Sequence, residues 1–310
     1  MDRFDAMRIL LAAIDGGSLS AASRALGMPL PTVSRKVSEL EAHLGTQLVV
    51  RTSRKLLLTD AGAAFVVASR RVLEDLDNAE RAAYGEYQAP RGDLLVTASI
   101  MFGKLHVTPI AIDFLKAYPD VNLRVVLADH VIDLVENHVD AAIRIGHLPD
   151  SLLIASKMGE VHWVICASPD YLARRGIPLT PGDLNPHDCL GFEGLQLART
   201  WPFLVDGKAT EVRIRPRFSS STADTIIAAA IAGVGIARIT SYQAAAAMRD
   251  GTLVAILGEC TSTAIPVHLV HTGPPLLPLK LRAFLDFATP RLKAALDGLP
   301  TSRRFASPIC

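Results

Sequence analysis

The chain has 310 residues, half of them hydrophobic and a fifth charged, with a formal net charge of +1. That length suits two domains or one large one, and the composition excludes extended disorder. The balanced charge leaves any nucleic-acid footprint to a local patch, and no apolar run approaches the roughly 20 residues of a membrane span.

Short helices open the chain. Phe4–Ile14 is amphipathic and stops at Asp15-Gly16-Gly17. Ser18 is an N-cap for Leu19–Leu26, which Gly27 closes, and a third helix runs from Pro29 or Leu30 to Leu44, stopped by Gly45. Leu48–Arg51 and Lys55–Leu58 suit a small hairpin about Thr52-Ser53-Arg54. Asp60–Tyr87 reads as one long helix, its stripe Phe65, Val72, Leu76, Ala79, Ala83 and Tyr87 at helical spacing, broken by Pro90-Arg91-Gly92. Beyond Asp93 strands and helices alternate. Strands are expected at Leu94–Ser99, Asn122–Leu127, Ala141–Ile145, His162–Ala167, Val212–Phe218, Gly235–Ile239, Leu253–Leu257 and Val267–His271. Helices are expected at Lys104–Ala117, Val131–Asn137, Asp170–Arg175, Ala223–Ala232, Tyr242–Arg249 and Pro278–Leu296. This is an α/β region with a largely parallel sheet, long enough for two similar lobes.

The strongest signal lies between Ser18 and Gly45. Two short helices joined by Gly27 and a Pro-containing turn form a helix-turn-helix. Ala21, Ala22 and Ala25 permit close crossing, and Val33, Val37 and Leu40 supply a buried stripe. The opposite face carries Thr32, Ser34, Arg35 and Lys36, residue types that reach base edges and phosphates in a major groove. Between Ser18 and Thr59, six basic residues (Arg24, Arg35, Lys36, Arg51, Arg54, Lys55) face two acidic ones, a local charge of +4. A solvated basic surface is the plainer reading of that charge; the Gly27 turn, the Ala-rich helix and the basic hairpin together favour DNA.

The phrases SLSAASRALGM, VSRKVSELEAHLG and RTSRKLLLTDAG between Ser18 and Gly62 resemble the N-terminal signature of LysR-type transcriptional regulators. YPDVNLRV (Tyr118–Val125), DAAIRIG (Asp140–Gly146), ASPDYLARRGIP (Ala167–Pro178) and AGVGIARI (Ala232–Ile239) extend the resemblance in the family's order. It implies a winged helix-turn-helix over residues 1–59, a linker and dimerisation helix over 60–90, and an effector-binding domain over 91–310. That last domain would share the two-lobed fold of periplasmic solute-binding proteins, with lobe I at 91–161 and 269–310 and lobe II at 162–268. The helix bearing Thr32, Ser34, Arg35 and Lys36 would read promoter DNA, and Arg51, Thr52, Ser53, Arg54 and Lys55 would form the wing. Pro29 and Leu30 depart from the polar residues that members carry at the helix entrance, and Leu30 cannot donate to a base. Pairing of the stripe Phe65, Val72, Leu76, Ala79 and Ala83 with its twin would make a homodimer, and the resemblance further implies a tetramer and contact with RNA polymerase.

No GxSxG, GxxxxGK[ST], HExxH or strand-following GxGxxG occurs, so no enzyme is expected, nor a cofactor or metal. The cysteines Cys166, Cys189, Cys260 and Cys310 are scattered, which speaks against zinc or a disulfide framework. A redox pair of Cys166 with Cys189 stays open beside the favoured reading of inert thiols. Ligands of open α/β sheets sit at strand carboxyl ends. That points to Ser99, Met101 and Phe102, to Arg144 and His147, and to Ser221 in lobe II; Trp201 either stacks on an aromatic ligand or packs. Phe102-Gly103-Lys104 and Ser219–Thr222 lead into helices, whose free N–H groups favour an anion, so a carboxylate effector is expected. The alternative is a solute-binding protein of the same fold. The 90-residue N-terminal unit and the lack of a signal-peptide pattern (Ile9–Ile14 is too short) speak for a cytoplasmic regulator instead.

Overall fold

The computed structural model describes residues 2–51, 56–83, 89–149, 152–192, 200–205, 207–260, 264–273 and 277–299. They divide into two compact units, Met1–Gln88 and Ala89–Cys310.

The first unit packs four helices with a two-stranded ribbon. α1 (Arg3–Asp15) is capped by Asp2, and α2 (Leu19–Leu26) by Ser18, whose Oγ accepts from the Ala21 N–H at 3.1 Å. Gly27 ends α2 in the left-handed region at φ 63°, and Ser23 Oγ donates to the Met28 carbonyl at 2.6 Å. α3 (Leu30–Leu44) therefore starts after a turn of only three residues, Gly27-Met28-Pro29. A Cβ on Gly16 would lie 2.7 Å from the Ala21 Cβ, so small side chains let α1 and α2 approach; Ala22 is buried in the same core, whereas Ala25 is exposed. Val33, Val37 and Leu40 join Ile9, Leu10 and Leu48 there. β1 (Val49–Arg51) and β2 (Leu56–Leu58) pair antiparallel, tied to α3 by Glu41, whose Oε1 accepts from the Leu48 and Val49 N–H groups at 2.8 and 3.1 Å. α4 (Asp60–Ala83) begins at Thr59, whose Oγ1 accepts from the Gly62 N–H at 2.9 Å.

The second unit is built on a nine-stranded mixed sheet. β3 (Gly92–Ala98) is parallel to β4 (Val121–Leu127) and to β5 (Ala141–Ile145). Between β3 and β4 the chain runs through α5 (Ile100–Phe102), a π-turn at Gly103–Val107 and α6 (Thr108–Ala117). The fifteen-residue β6 (Leu153–Ala167) then crosses to the second lobe. There α7 (Pro169–Arg175) leads to β7 (Cys189–Phe192), and β8 (Thr200–Val205) and β9 (Lys208–Arg213) form a separate hairpin. β10 (Pro216–Ser220), α8 (Ala223–Ile231), β11 (Ile236–Thr240), α9 (Ser241–Arg249) and β12 (Val254–Ile256) complete that lobe. β13 (Ala264–Thr272) returns antiparallel to β6 and β5, and α10 (Leu279–Asp297) packs on the first lobe through Leu281, Phe284, Ala288 and Leu292. The sheet is thus parallel within each lobe and antiparallel along the crossing strands β6 and β13. The lobe limits expected after residues 161 and 268 fall inside these strands, which serve both lobes.

Three expectations change. The helix expected over Val131–Asn137 is a turn: Asp133 Oδ1 accepts from the Val135 and Glu136 N–H groups, and His138 reverses the chain at φ 52°. Val131 and Val135 are exposed, and the cover over Leu134 and Ile132 is too narrow to hold a helix there. The single strand expected over Val212–Phe218 breaks at Ile214–Arg215 into β9 and β10. β7 and β8, not anticipated, are too short for a clear period.

Strand register also settles the cysteines. Cys166 on β6 pairs with Ala237 of β11, and Cys189 on β7 pairs with Ile236 of the same strand. Two strand spacings, roughly 9–10 Å, separate them, beyond the roughly 7 Å reach of a disulfide. They also enter different cores on opposite faces of the sheet. Burial pushes both thiols up to about 12, so at neutral pH neither presents a thiolate. The redox pair is excluded. Iodoacetamide at pH 7.5 is expected to leave Cys166 and Cys189 unmodified in the native protein and to alkylate both in urea; native labelling of either, read by peptide mass spectrometry, would contradict this burial.

Candidate functional site

On the first unit the exposed face of α3 lies opposite Val33, Val37 and Leu40. Arg35 is its most exposed charge, with 65% of its side chain accessible, and it pairs with Glu39 one turn on at 3.3 Å. Thr32 and Ser34 are half-buried beside it, and Leu30 and Pro31 are exposed at the helix entrance. Lys36 behaves differently from its neighbours. Its Nζ lies 3.1 Å from Asp5 Oδ2 of α1, and only 20% of its side chain is accessible, so it clips α3 to α1. Thr52, Ser53, Arg54 and Lys55 lie outside the described residues, as does the side chain of Arg51.

α4 carries two apolar faces. Val66, Ser69 and Leu73 are buried within the unit, and Arg8–Asp77 and Arg70–Asp15 pairs dock the same side of the helix on α1. Val72 is 41% exposed and Leu76 half-buried on the other face, while Phe65, also half-buried, packs against the core of the unit itself. The side chains of Ala79 and Ala83 are outside the description.

In the second unit the carboxyl ends of β3 and β10 face one another across the lobes: Lys104 Nζ, just past α5, lies 3.7 Å from Asp224 Oδ2 in the first turn of α8. Nearer the crossing strands the contact is apolar. Tyr242 at the start of α9 is buried among first-lobe residues, edge-on to Phe102 at 5.3 Å, and Met101 packs against both lobe cores. His106 in the π-turn completes the ring cluster, 4.8 Å from Phe102; its Nε2 is buried without a hydrogen-bond partner among the described residues, and desolvation lowers its pKa. Ser99 Oγ is buried facing the Tyr242 hydroxyl, outside hydrogen-bond geometry with it.

The remaining expected effector contacts sort clearly. Ser99 and Met101 line this interlobe contact, and Ser221 is exposed just before α8. Phe102 is fully buried core, and Trp201 is buried with Phe203 in the second lobe. Arg144 donates to the Ile132 carbonyl and lies near Asp133, pinning the 131–138 turn to β5; burial lowers its pKa, against the pull of Asp133. His147 is exposed. The helix ends, too, are already served. Asp129 Oδ1 accepts from the Ile100 N–H at 2.9 Å, and Asp224 accepts from the Thr225 N–H at 3.0 Å. Each helix N-terminus on which the anion argument rested thus holds a carboxylate of its own.

Sequence reasoning passed over Tyr242, His106 and Arg238. Arg238 was detectable: a charge inside the buried run Ile236–Thr240 breaks the continuous apolar pattern of a central parallel strand.

The family described as "Bacterial regulatory helix-turn-helix protein, lysR family" matches residues 4–63, and that described as "LysR substrate binding domain" matches residues 87–293. The transcriptional regulator CrgA of Neisseria meningitidis is 32% identical over 293 residues, 94% of this chain and 98% of its own. Its solved structure superposes with a TM-score of 0.61 over 93% of this chain and 98% of that one. The full-length virulence activator AphB of Vibrio cholerae gives a TM-score of 0.59 at 27% identity, with the same coverage. The chain belongs to the LysR family of bacterial transcriptional regulators. It is a DNA-binding regulator with a two-lobed effector-binding domain. Its relatives include a transcriptional repressor of Pseudomonas aeruginosa at 32% identity and the activator AaeR of Escherichia coli at 28%, so kinship does not fix the sign of its action.

Proposed function

We propose that this regulator binds its promoter as a homodimer through α3 and the segment Arg51–Lys55, and that a small organic anion between the lobes switches its action on RNA polymerase. The exposed edge of α3 carries the DNA half of the reading: Arg35, Thr32 and Ser34 emerge from a helix whose other face is locked into the core. The α4 stripe at Phe65, Val72 and Leu76, with Ala79 and Ala83 further along, supports the dimer, because it is apolar and does not join the core of its own unit at Val72. For the effector, the helix ends no longer argue for an anion. The guanidinium of Arg238 in lobe II, stacked on Trp163 and unneutralised by any carboxylate among the described residues, supports that class instead.

Arg35→Ala is expected to weaken binding to the promoter upstream of the protein's own gene. A lost base contact costs about 1–3 kcal/mol and relaxes sequence preference, and a lost phosphate contact lowers the salt slope by about one unit. Lys36→Ala should change the salt slope less, because that ammonium already faces Asp5. Anisotropy titrations at several salt concentrations separate these outcomes; an Arg35 variant with wild-type affinity and slope would remove α3 from the interface.

Val72→Lys places a charge on the exposed stripe without entering the unit's own core. Light scattering should show a shift to monomer while circular dichroism stays native, since an unpaired charge in an apolar seam costs several kcal/mol. A variant that remains dimeric would show that α4 pairs elsewhere.

For the effector, a panel of small carboxylates is expected to raise the melting temperature of the full chain by mass action. Ser99→Ala should weaken the hits by about tenfold or more, as for one lost charge-assisted hydrogen bond. Stabilisation by neutral or cationic compounds alone would overturn the anionic class.

A further inference from the structure

Arg238 is the charged residue of the second unit least accounted for by its surroundings. It sits on β11 opposite Ile165 of β6, in the middle of a sheet whose neighbouring positions are buried and apolar. Its guanidinium carbon lies 3.9 Å from the centroid of the Trp163 ring, and Trp163 is the β6 residue paired with Thr240, where β6 leaves β13 and joins β11. No hydrogen bond or ion pair reaches the guanidinium from any described residue. Burial holds its pKa down at about 10, with no acid opposing the shift. Arg238 is half-buried between the buried Ala237 and Ile239, and a partly desolvated cation without a counter-charge is costly, a cost that stacking on one indole offsets only in part.

The positions beside Arg238 on β7 and β10 are small and polar rather than acidic. β11 runs parallel to β7 with Ile236 opposite Cys189 and Ala237 opposite Leu190, so one further residue sets Arg238 beside Gly191. On the far side of Gly191 is Ser219 of β10. A Cβ on Gly191 would fall 2.6 Å from Ser219 Oγ, so the missing side chain lets that hydroxyl lean over β7 toward β11. Arg238, Gly191 and Ser219 share one face near the carboxyl ends of three parallel strands, which is the end of the sheet that meets the first lobe at Lys104 and Asp224.

We infer that Arg238, held flat by Trp163 and assisted by Ser219 across Gly191, is the charge-reading element of the effector cleft, and that its partner is a single carboxylate. This rests on the anionic-effector reading and gives it a residue. One guanidinium fork with one hydroxyl matches a carboxylate rather than a doubly charged phosphate, and the fork geometry cannot be supplied by lysine. Trp163 acts as a positioning residue: it removes the rotational freedom of the guanidinium before the ligand arrives.

The test uses the full-length chain, with benzoate, cinnamate, pyruvate and succinate each set against its primary amide, in wild type, Arg238→Lys, Arg238→Met and Ser99→Ala. Wild type is expected to bind one or more carboxylates and none of the amides, with Arg238→Met and Arg238→Lys each weakening the hit by roughly ten- to hundredfold. Free Arg238→Met should melt at or above the wild-type temperature, because it removes an uncompensated charge while keeping the apolar stem. A carboxylate bound equally well by wild type and Arg238→Met would overturn the assignment of Arg238 and leave the anionic class standing. Binding of amides but not carboxylates would overturn both. A free Arg238→Met protein that melts far below wild type would show the guanidinium to be structural and overturn the assignment as well.

Discussion

The sensor unit depends on one ladder, the antiparallel pairing of β6 with β13 from Leu153 opposite Thr272 to His162 opposite Ala264. Both strands belong to both lobes, so the ladder fixes their register. Slipping it by one residue would turn every side chain to the wrong face, burying polar residues and exposing Val267 and Leu269. Motion between the lobes is therefore confined to twist along the ladder and to the irregularity between Val267 and His268. Tyr242 restricts it further, since a residue anchored at the end of β11 is buried against Phe102 of the other lobe. The interlobe contact is thereby held in one arrangement. Its apolar root lies at Met101 and Tyr242, and its polar mouth at Lys104 and Asp224.

The same frame explains what the sequence could not disclose. Each helix from Leu19 to Leu44 was readable because its caps and apolar stripe are local, and the Ser18 and Gly27 boundaries stand to the residue. The anion argument was local as well, and there it failed. A helix N-terminus looks vacant until the partner that fills it is known, and Asp129 reaches Ile100 from 29 residues away. The Val131–Asn137 turn failed for a related reason: apolar residues at helical spacing make a helix only where something covers them. Arg238 shows the converse. A cation in a buried strand was visible in the sequence, but its meaning required knowing that neither neighbouring strand supplies an acid.

Charge on the DNA-binding unit tells a similar story. The count of +4 between Ser18 and Thr59 treats each basic residue as free, yet Lys36 is committed to Asp5, outside that window, and Arg35 shares its charge with Glu39. The Arg35–Glu39 pair is exposed and easily exchanged, because such contacts contribute little in water. A phosphate that displaces Glu39 would lose little and would release counterions. Lys36 is the more enclosed of the two, so its role is to set the angle of α3 on α1. On the proposed reading, orientation and contact are divided between adjacent residues, a division that residue type alone does not reveal.

A ligand shifts a regulator only through unequal affinity for its states. Arg238 and Ser219 both stand on second-lobe strands, so an anion held by them alone touches one lobe and has little reason to prefer one arrangement over another. Ser99 and Met101 belong to the first lobe, at the other side of the contact. On the assignment proposed for Arg238, an effector that switches the protein must reach from the guanidinium to Ser99, and its length matters as much as its charge. Short carboxylates that occupy Arg238 without reaching across would bind, stabilise the fold and leave DNA affinity unchanged, competing with the true effector. On that proposal binding and switching are separable, because the residues proposed for each belong to different lobes.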